Sequence, residues 1–417
     1  MPGAAHPANP PDVADADWLR RPATQAVFAA LERAGFEGRA VGGVVRNTLM
    51  GLPVTDIDIA TPARPDEVIA AATAAGLASV PTGIEHGTVT VISAHEPYEV
   101  TTLRHDVETD GRRAVVAFTD DWAADASRRD FTVNALYCDR HGVVHDPLGG
   151  YPDVARRTVR FIGDPDQRIA EDYLRILRFF RFHAVLGEGP LDRPGLDACV
   201  RGRAGLKTLS AERVRAELLK LLAGRRALEA VDAMTGVASL ALLLHVAPRP
   251  GVLARLVQAE AFVGAEPDAI LRLSALCLAV VEDAPALARR LRLSNEERAA
   301  LTVITGQPGP LAQACDDAAR RRMIYARGPA AWRRSVLAAL ACMPDDPDLA
   351  AAYALPDHWH VPKLPVKGLD VLALGLPPGP QIGDILAEVE RWWLAHDFPP
   401  AEAVRDRLAT VVAARNS

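Results

Sequence analysis

Asp56-Ile57-Asp58-Ile59 alternates an acid with an isoleucine, and this alternation dictates the local backbone. Along an extended strand successive side chains leave opposite faces, so both carboxylates share one face and both isoleucines the other. A carboxylate pair on one face of a strand end suits a divalent cation. Mg²⁺ in particular takes one or two carboxylates and completes its shell with substrate phosphates. A short way upstream the chain reads Gly42-Gly43-Val44-Val45-Arg46. The glycines allow close backbone approach, and residues 44–50 read as a short helix stopped by Gly51, whose free N–H groups suit an anion. Arg46 falls one turn in, within reach of a triphosphate. Either feature alone is also what an ordinary surface turn or strand end looks like; the order and spacing of the downstream motifs make them one device.

A third acid comes next. Residues 86–92 alternate in a β-rich manner, 94–97 read as a turn and 98–103 as a second strand, with Glu99 alone among strand formers. Glu99 is either an exposed strand-face acid or a third carboxylate beside Asp56 and Asp58, as in-line displacement at phosphorus with two metals requires. The polar stretch 104–126 reads as a long mobile loop. After it, Arg128-Arg129-Asp130-Phe131-Thr132-Val133-Asn134 packs cations and hydrogen-bonding groups around an apolar centre. The pattern fits a capped helix start, or a clamp with an arginine, Arg128 or Arg129, on phosphate and Asp130 or Asn134 on a sugar hydroxyl.

The sharpest cluster spans 168–184. At about 100° per residue Ile169, Tyr173, Ile176, Leu177, Phe180 and Ala184 share one arc of a helix. Arg168, Glu171, Asp172, Arg175, Arg178 and Arg181 share the other. As a solvated face its i,i+3 and i,i+4 pairs would be worth only ~0.2–0.5 kcal/mol each. As a base-reading face, Asp172 accepts from an exocyclic amino group and Arg175 donates to a ring nitrogen or carbonyl. Cytosine and adenine both present an amino donor beside an acceptor.

Taken together, VGGVVRN (41–47), TDIDIAT (55–61), GIEHGTVTV (83–91), YEVTTLR (98–104), RRDFTVNA (128–135), DPLGGYPD (146–153), DPDQRIAEDYLRILRFFRF (164–182) and SAERVRAEL (210–218) resemble, in order, the class II tRNA nucleotidyltransferases, which add CCA to tRNA 3′ ends. The resemblance covers roughly the first half of the chain. The Gly-Gly turn and the paired aspartates belong to a wide polymerase-like superfamily; RRDFT with the EDxLRxLR helix is far narrower. The resemblance implies an α/β nucleotidyltransferase head of the polymerase-β-like type. It implies Asp56 and Asp58 as metal ligands, Glu99 as the third catalytic carboxylate, and Gly43 and Arg46 as triphosphate contacts. Arg129, Asp130 and Asn134 match the ribose and phosphate clamp. Asp172 and Arg175 match the amino-acid template for the incoming base, Arg178 and Arg181 further nucleotide contacts, and Glu212 and Arg213 a brace for the template helix. Asn47 departs from the pattern, which usually has Asp there. The implied substrates are the tRNA 3′ end, CTP and ATP, with Mg²⁺ in a two-metal site as cofactor and no protein partner required.

Poly(A) polymerases of the same family usually carry an arginine-rich segment after the aspartate strand, where this chain reads Pro81-Thr82-Gly83-Ile84-Glu85-His86-Gly87. CC-only enzymes lose part of the loop that here runs whole over 104–126. A non-catalytic tRNA-binding protein would not need Asp56, Asp58 and Glu99. Some relatives carry a metal phosphohydrolase signature; the corresponding apolar helix, read over 276–283, has no His-Asp pair, and no such activity is expected.

Strand signals end near residue 165, and the rest is Ala/Leu/Arg-rich and helical, with breaks at 187–194, 248–251, 308–310 and 344–347. The expected division is a disordered N-terminal arm (1–22), the head (23–165), a helical neck with the base-reading helix (166–235), a helical body (236–345) and a helical tail (346–417). Net charge is −6, so an RNA partner needs a local basic patch. Candidates are Arg156-Arg157, Arg201 with Arg203 and Lys207, and Arg320-Arg321-Arg322. In the tail, 363–368 and 379–383 resemble the region where relatives hold tRNA. Cys138, Cys199, Cys277, Cys315 and Cys342 form no CxxC, which fits a reducing cytoplasm. The Pro/Ala-rich start is no signal peptide, and no apolar run reaches membrane-spanning length.

Overall fold

The computed structural model describes residues 9–110, 113–301 and 316–416. Residues 1–8 of the expected arm, the 308–310 break and Cys315 lie outside them. The chain forms two compact units, Met1–Pro248 and Arg249–Ser417.

The first unit opens with α1 (Asp17–Arg20) and α2 (Pro22–Arg33). The Pro/Ala-rich composition predicts disorder to residue 22, but Val13, Trp18 and Leu19 are buried. Trp18 Nε1 donates to Thr48 Oγ1 at 2.9 Å, and Thr24 Oγ1 donates to the Trp18 carbonyl at 2.7 Å. A large aromatic with a satisfied N–H, two buried aliphatics and the Val13 N–H donating to the Gly142 carbonyl at 2.8 Å seat the segment. The chain continues through β1 (Arg39–Val41), α3 (Gly43–Leu49), β2 (Asp58–Thr61), α4 (Pro65–Ala74), β3 (Ala78–Gly83), β4 (Thr88–Ser93) and β5 (Glu96–Thr102). Next come β6 (Arg104–Asp110), β7 (Arg113–Phe118), α5 (Trp122–Ser127), β8 (Tyr137–Cys138), β9 (Val144–His145) and α6 (Tyr151–Ala155).

Seven strands make one mixed sheet in the order β3-β4-β5-β2-β1-β8-β9. Only β2 and β5 run parallel. A parallel pair needs a crossover, which α4, β3 and β4 supply, and it sets Asp58 opposite Glu99. The expected loop over 104–126 is instead a two-stranded ribbon, β6 with β7, followed by α5. The ribbon pairs only with itself, so no core-facing alternation marks it in the sequence.

Helices α7 (Pro165–Glu171), α8 (Leu174–Leu186), α9 (Arg193–Gly202), α10 (Ala211–Leu222), α11 (Ala227–Gly236) and α12 (Ser239–Leu244) complete the unit. A phenylalanine cluster fastens α8 to the sheet domain. Phe131 lies 4.8 Å from Phe161 and 5.4 Å from Phe182, and Phe161 stacks on Phe179 at 5.4 Å. Such pairs contribute ~0.5–1.5 kcal/mol each beyond the area they bury. α10 packs along α8, and α12 contacts α11, so the first unit extends past the expected 235 border to Pro248.

The second unit is helical throughout its described residues: α13 (Pro250–Val263), α14 (Ala269–Cys277), α15 (Ala284–Leu291), α16 (Asn295–Leu301), α17 (Asp317–Arg327), α18 (Pro329–Leu340), α19 (Pro347–His358), α20 (Gly368–Ala373), α21 (Gln381–Ala395) and α22 (Ala401–Asn416). The helix expected over 276–283 does not run through: α14 stops at Cys277, and Leu278 is extended. Two apolar cores form, one around Leu256, Trp332 and Leu340, the other around Val389, Trp393 and Leu408. Among the described residues no helix is long and apolar enough to cross a membrane.

Candidate active site

Ile57 and Ile59 are buried at 7% and 0% exposure while Asp56 and Asp58 are exposed, as alternation requires. Asp56 sits just before β2, where Thr55 Oγ1 donates to its Oδ2 at 3.0 Å. Glu99, exposed on β5, stands in register with Asp58. Though its surface is exposed, Asp58 is partly desolvated by the protein packed around it, and this, then the negative charge of Glu99, raise its carboxyl above the ordinary range; Arg129 opposes this and Asp56 adds to it. Oxygen donors that repel one another fit a hard divalent cation. Among the described residues no three His, Cys, Asp or Glu side chains gather closely enough to hold an ion by themselves. An ion there would draw its remaining oxygens from phosphates and water.

Asp58 also lines a cavity of about 500 Å³, whereas Asp56 and Glu99 stand outside its lining. The Gly42-Gly43 turn forms one end of this cavity. Gly42 has φ 71°, a left-handed value that glycine adopts without strain, and it caps α3. At seven residues α3 is too short to contribute much dipole. The positive field comes instead from seven arginines, Arg46, Arg128, Arg129, Arg175, Arg178, Arg181 and Arg213, set against Asp58, Asp130 and Asp172.

Each of these arginines is held by a specific protein group. Arg46 donates through Nη1 to Asn134 Oδ1, and through Nε and Nη2 to Asn47 Oδ1 at 3.1 and 2.8 Å. Asn47 Nδ2 donates in turn to the Pro53 carbonyl at 2.8 Å, so the asparagine anchors Arg46 without adding charge. Burial, then Arg181, pull the Arg46 guanidinium down to about 10; Asp130 opposes this and Arg178 reinforces it. A polyanion in the cavity would relieve that crowding. Asp130, 8% exposed, accepts from Arg178 Nε at 2.7 Å and Nη2 at 2.5 Å. It also accepts from Asn134 Nδ2 at 3.0 Å and the Phe131 N–H at 2.9 Å. Burial alone would push Asp130 up; Arg178 and these donors hold it below the carboxylate range. Both Asp130 and Asn134 are thus engaged within the protein, and a ribose hydroxyl would have to share them.

The base-reading segment departs from the single helix its periodicity predicts. Asp164 caps α7 by accepting from the N–H groups of Asp166 and Gln167, and Pro165 follows at N1. The helix then breaks at Asp172, which is extended (φ −156°, ψ 107°), and α8 starts afresh at Leu174. Asp172 Oδ1 accepts from the Leu174 N–H at 3.1 Å, and Oδ2 from Arg213 Nη2 at 2.6 Å. The expected brace is therefore present through Arg213. Gly205 backs the break, since a Cβ there would collide with the Tyr173 ring. Arg175 donates to the carbonyls of Arg168 at 2.8 Å and Arg128 at 3.2 Å, and pairs with Glu171. Arg181 donates to Glu217 Oε2 at 2.5 Å and lies 3.8 Å over the Phe182 ring. Asp172, Arg175, Arg178 and Arg181 of the polar face form a cavity wall, while Arg168 and Glu171 pair with each other outside it.

All the nucleotide-contact residues expected from sequence line this one cavity. Sequence reasoning missed Phe182 on the wall, and Glu217 and Asp125 behind it; it placed Arg128 in the clamp cluster without assigning it a contact of its own. Glu217 carried no local signal, because its partners lie on α8. Asp125 did: it stands three and four residues before Arg128 and Arg129. Each of the three proposed basic patches has arginines paired with acids of the chain: Arg156 and Arg157 with Asp153 and Glu188, Arg201 with Asp166 at 2.6 Å, and Arg320 and Arg321 with Asp348 and Asp397.

Residues 38–160 match the model of the poly A polymerase head domain. The chain is 35% identical over 376 residues to CCA tRNA nucleotidyltransferase 1, mitochondrial, of Mus musculus, covering 86% of this chain and 82% of the relative. It is 31% identical over 411 residues to the CCA-adding enzyme of Geobacillus kaustophilus, covering 94% and 96%. Among solved structures, the Bacillus stearothermophilus CCA-adding enzyme in complex with CTP superposes with a TM-score of 0.68 at 27% identity, covering 95% of this chain and 98% of that one. With relatives at 31% and 35% identity matched over most of both chains, the chain belongs to the family of CCA-adding tRNA nucleotidyltransferases.

Proposed function

We propose that this protein is an enzyme that adds CCA to tRNA 3′ ends from CTP and ATP, releasing pyrophosphate. The observation that carries the reading is that Asp172 and Arg175 both line the arginine cavity, each held by protein groups behind it. An acceptor and a donor held by protein alone let the chain choose a base with no nucleic-acid template. The arginine set around the Gly42-Gly43 turn binds the triphosphate, with Arg46 and Arg129 nearest the turn. Arg178 and Arg181 complete the nucleotide's surroundings, and Asp130 and Asn134 fix Arg178 and Arg46 and face the ribose. The tRNA 3′-hydroxyl then attacks the α-phosphorus in line.

Enzymes of this family generally depend on a divalent metal. In our reading the metal is Mg²⁺ in a two-ion site on Asp56 and Asp58 with Glu99 beside them. When bound it lowers the hydroxyl pKa and neutralises developing charge. We also read the first unit as head and neck and the second as body and tail. We place the enzyme in the cytoplasm, where the unpaired Cys138, Cys199, Cys277 and Cys342 would stay reduced.

The test is incubation with Mg²⁺ and tRNA transcripts that lack CCA, end in CC, or are complete, with CTP and ATP singly and together. Two cytidines then one adenosine are expected, with complete tRNA left alone. A long adenosine tail, a stop at CC, or tight tRNA binding without incorporation would each replace the reading with a different one.

A further inference from the structure

We propose that Asp125 is a positioning residue for the incoming nucleotide, fixing the aim of Arg128 and Arg129 from behind the cavity wall. The inference rests on the proposed role of that arginine pair in the phosphate clamp. Asp125 lies on α5, 1% exposed, and is not among the cavity-lining residues, whereas both arginines are. It cannot touch a nucleotide and acts only through what it holds.

Its carboxylate is fully subscribed. Oδ1 accepts from Arg128 Nε at 2.9 Å and Nη2 at 2.6 Å, with the Arg104 N–H at 3.4 Å. Oδ2 accepts from Arg129 Nη2 at 3.0 Å and from the Tyr137 hydroxyl at 2.7 Å. Burial would push this carboxyl up; Arg129, Arg128 and the Tyr137 hydroxyl hold it below the ordinary range, so it stays ionised. Tyr137 works from the other side. Its ring lies 5.4 Å from the Arg129 guanidinium carbon and is itself set edge-on by Trp122 at 5.3 Å.

Gripped at Nη2, Arg129 directs its remaining donors elsewhere. Nε is buried with no hydrogen-bond partner, and Nη1 lies 3.6 Å from where a Cβ on Gly42 would be. Nη1 therefore faces the glycine turn, where the phosphates are read to sit. A carboxylate can serve all four side-chain donors; an amide of the same shape would turn N–H groups toward a guanidinium or the tyrosine hydroxyl.

Asp125→Asn, Tyr137→Phe and Arg129→Met are compared with wild type by titration of CTP, CMP and CCA-less tRNA, with steady-state kinetics and melting curves. Asp125→Asn should weaken CTP and raise the KM for CTP and ATP by on the order of tenfold to a hundredfold, the scale of a misplaced binding group. CMP and tRNA should bind as before. Tyr137→Phe, which keeps the ring and removes one donor, should move CTP alone in the same direction by less. If Arg129→Met weakens CTP and Asp125→Asn does not, the positioning role is overturned and the clamp stands. If neither weakens CTP, the clamp reading itself fails, and the proposal with it. Equal losses for CTP, CMP and tRNA would make Asp125 merely structural. Should Asp125→Asn not fold, Tyr137→Phe decides: no loss specific to CTP overturns the proposal.

Discussion

The acidic sheet edge and the arginine wall of the cavity hold their charge in opposite ways. At the sheet edge Asp58 lines the cavity, with Asp56 and Glu99 exposed just beyond it, and the three repel one another. On the helical side the arginines are at least half-buried, and Arg46, Arg175, Arg178, Arg181 and Arg213 each have a named protein partner. Backbone geometry alone places the first group, since parallel pairing of β2 with β5 brings the carboxylates together whatever they repel. Tertiary hydrogen bonds place the second. The contrast separates an edge left to be completed by a ligand from a wall oriented in advance, where charge costs nothing further to reorganise during reaction.

The largest effect should come from breaking the edge. Asp58→Ala, or removal of divalent ions by chelation, should lower the rate of nucleotide incorporation by about a thousandfold, equivalent to several kcal/mol of lost charge stabilisation. Single-turnover primer extension measures it, and a residual rate near wild type would remove Asp58 from the chemistry.

Stability should separate the two sides by sign. Asp130→Ala strands Arg178 and Asn134 in the interior and should cost about 3 kcal/mol in urea unfolding. Asp58→Asn removes a repelling charge and should leave the metal-free protein as stable as wild type or more so. Equal destabilisation by both would erase the distinction.

Next is Asp172→Ala. Loss of one base-facing acceptor should reduce discrimination of CTP and ATP against UTP and GTP by ~1–3 kcal/mol while triphosphate affinity holds. Competition assays with mixed nucleotides would show it; unchanged selectivity would detach Asp172 from base choice.

The smallest effect is a pH dependence. Because the fold raises Asp58, its contribution to stability is full below the ordinary aspartate value of about 3.9 and is lost as pH climbs through the raised one. Above that, repulsion persists until a cation relieves it. The gain in Tm on adding Mg²⁺ should therefore grow as pH rises from about 4 and then level off. A gain independent of pH would show that no titrating carboxylate meets the ion.

Much of the site was legible because it is periodic. Ile57 and Ile59 forced Asp56 and Asp58 outward, and the arc of Ile176, Leu177 and Phe180 put the arginines opposite. What periodicity could not show is interruption. The apolar positions fit one unbroken helix, while the break at Asp172 comes from its own capping of Leu174 and from Arg213, 41 residues away. The partnership of Asp58 with Glu99 was visible as composition, yet its register depends on a crossover of three elements. The β6–β7 ribbon was read as a loop because it pairs with no strand of the main sheet, and residues 9–22 are ordered by the burial of Val13, Trp18 and Leu19.

The cavity wall is built of arginine and contains no lysine. Lys207, Lys220, Lys363 and Lys367 are the chain's only primary-amine side chains, and none is among the residues that line it. Guanidinium and ammonium react with different reagents. Amine-directed coupling, of the kind used to attach dyes or to tether an enzyme to a bead, should therefore leave the nucleotide pocket chemically untouched. Dicarbonyls such as phenylglyoxal, which condense with guanidinium, should close it, and bound CTP should protect it.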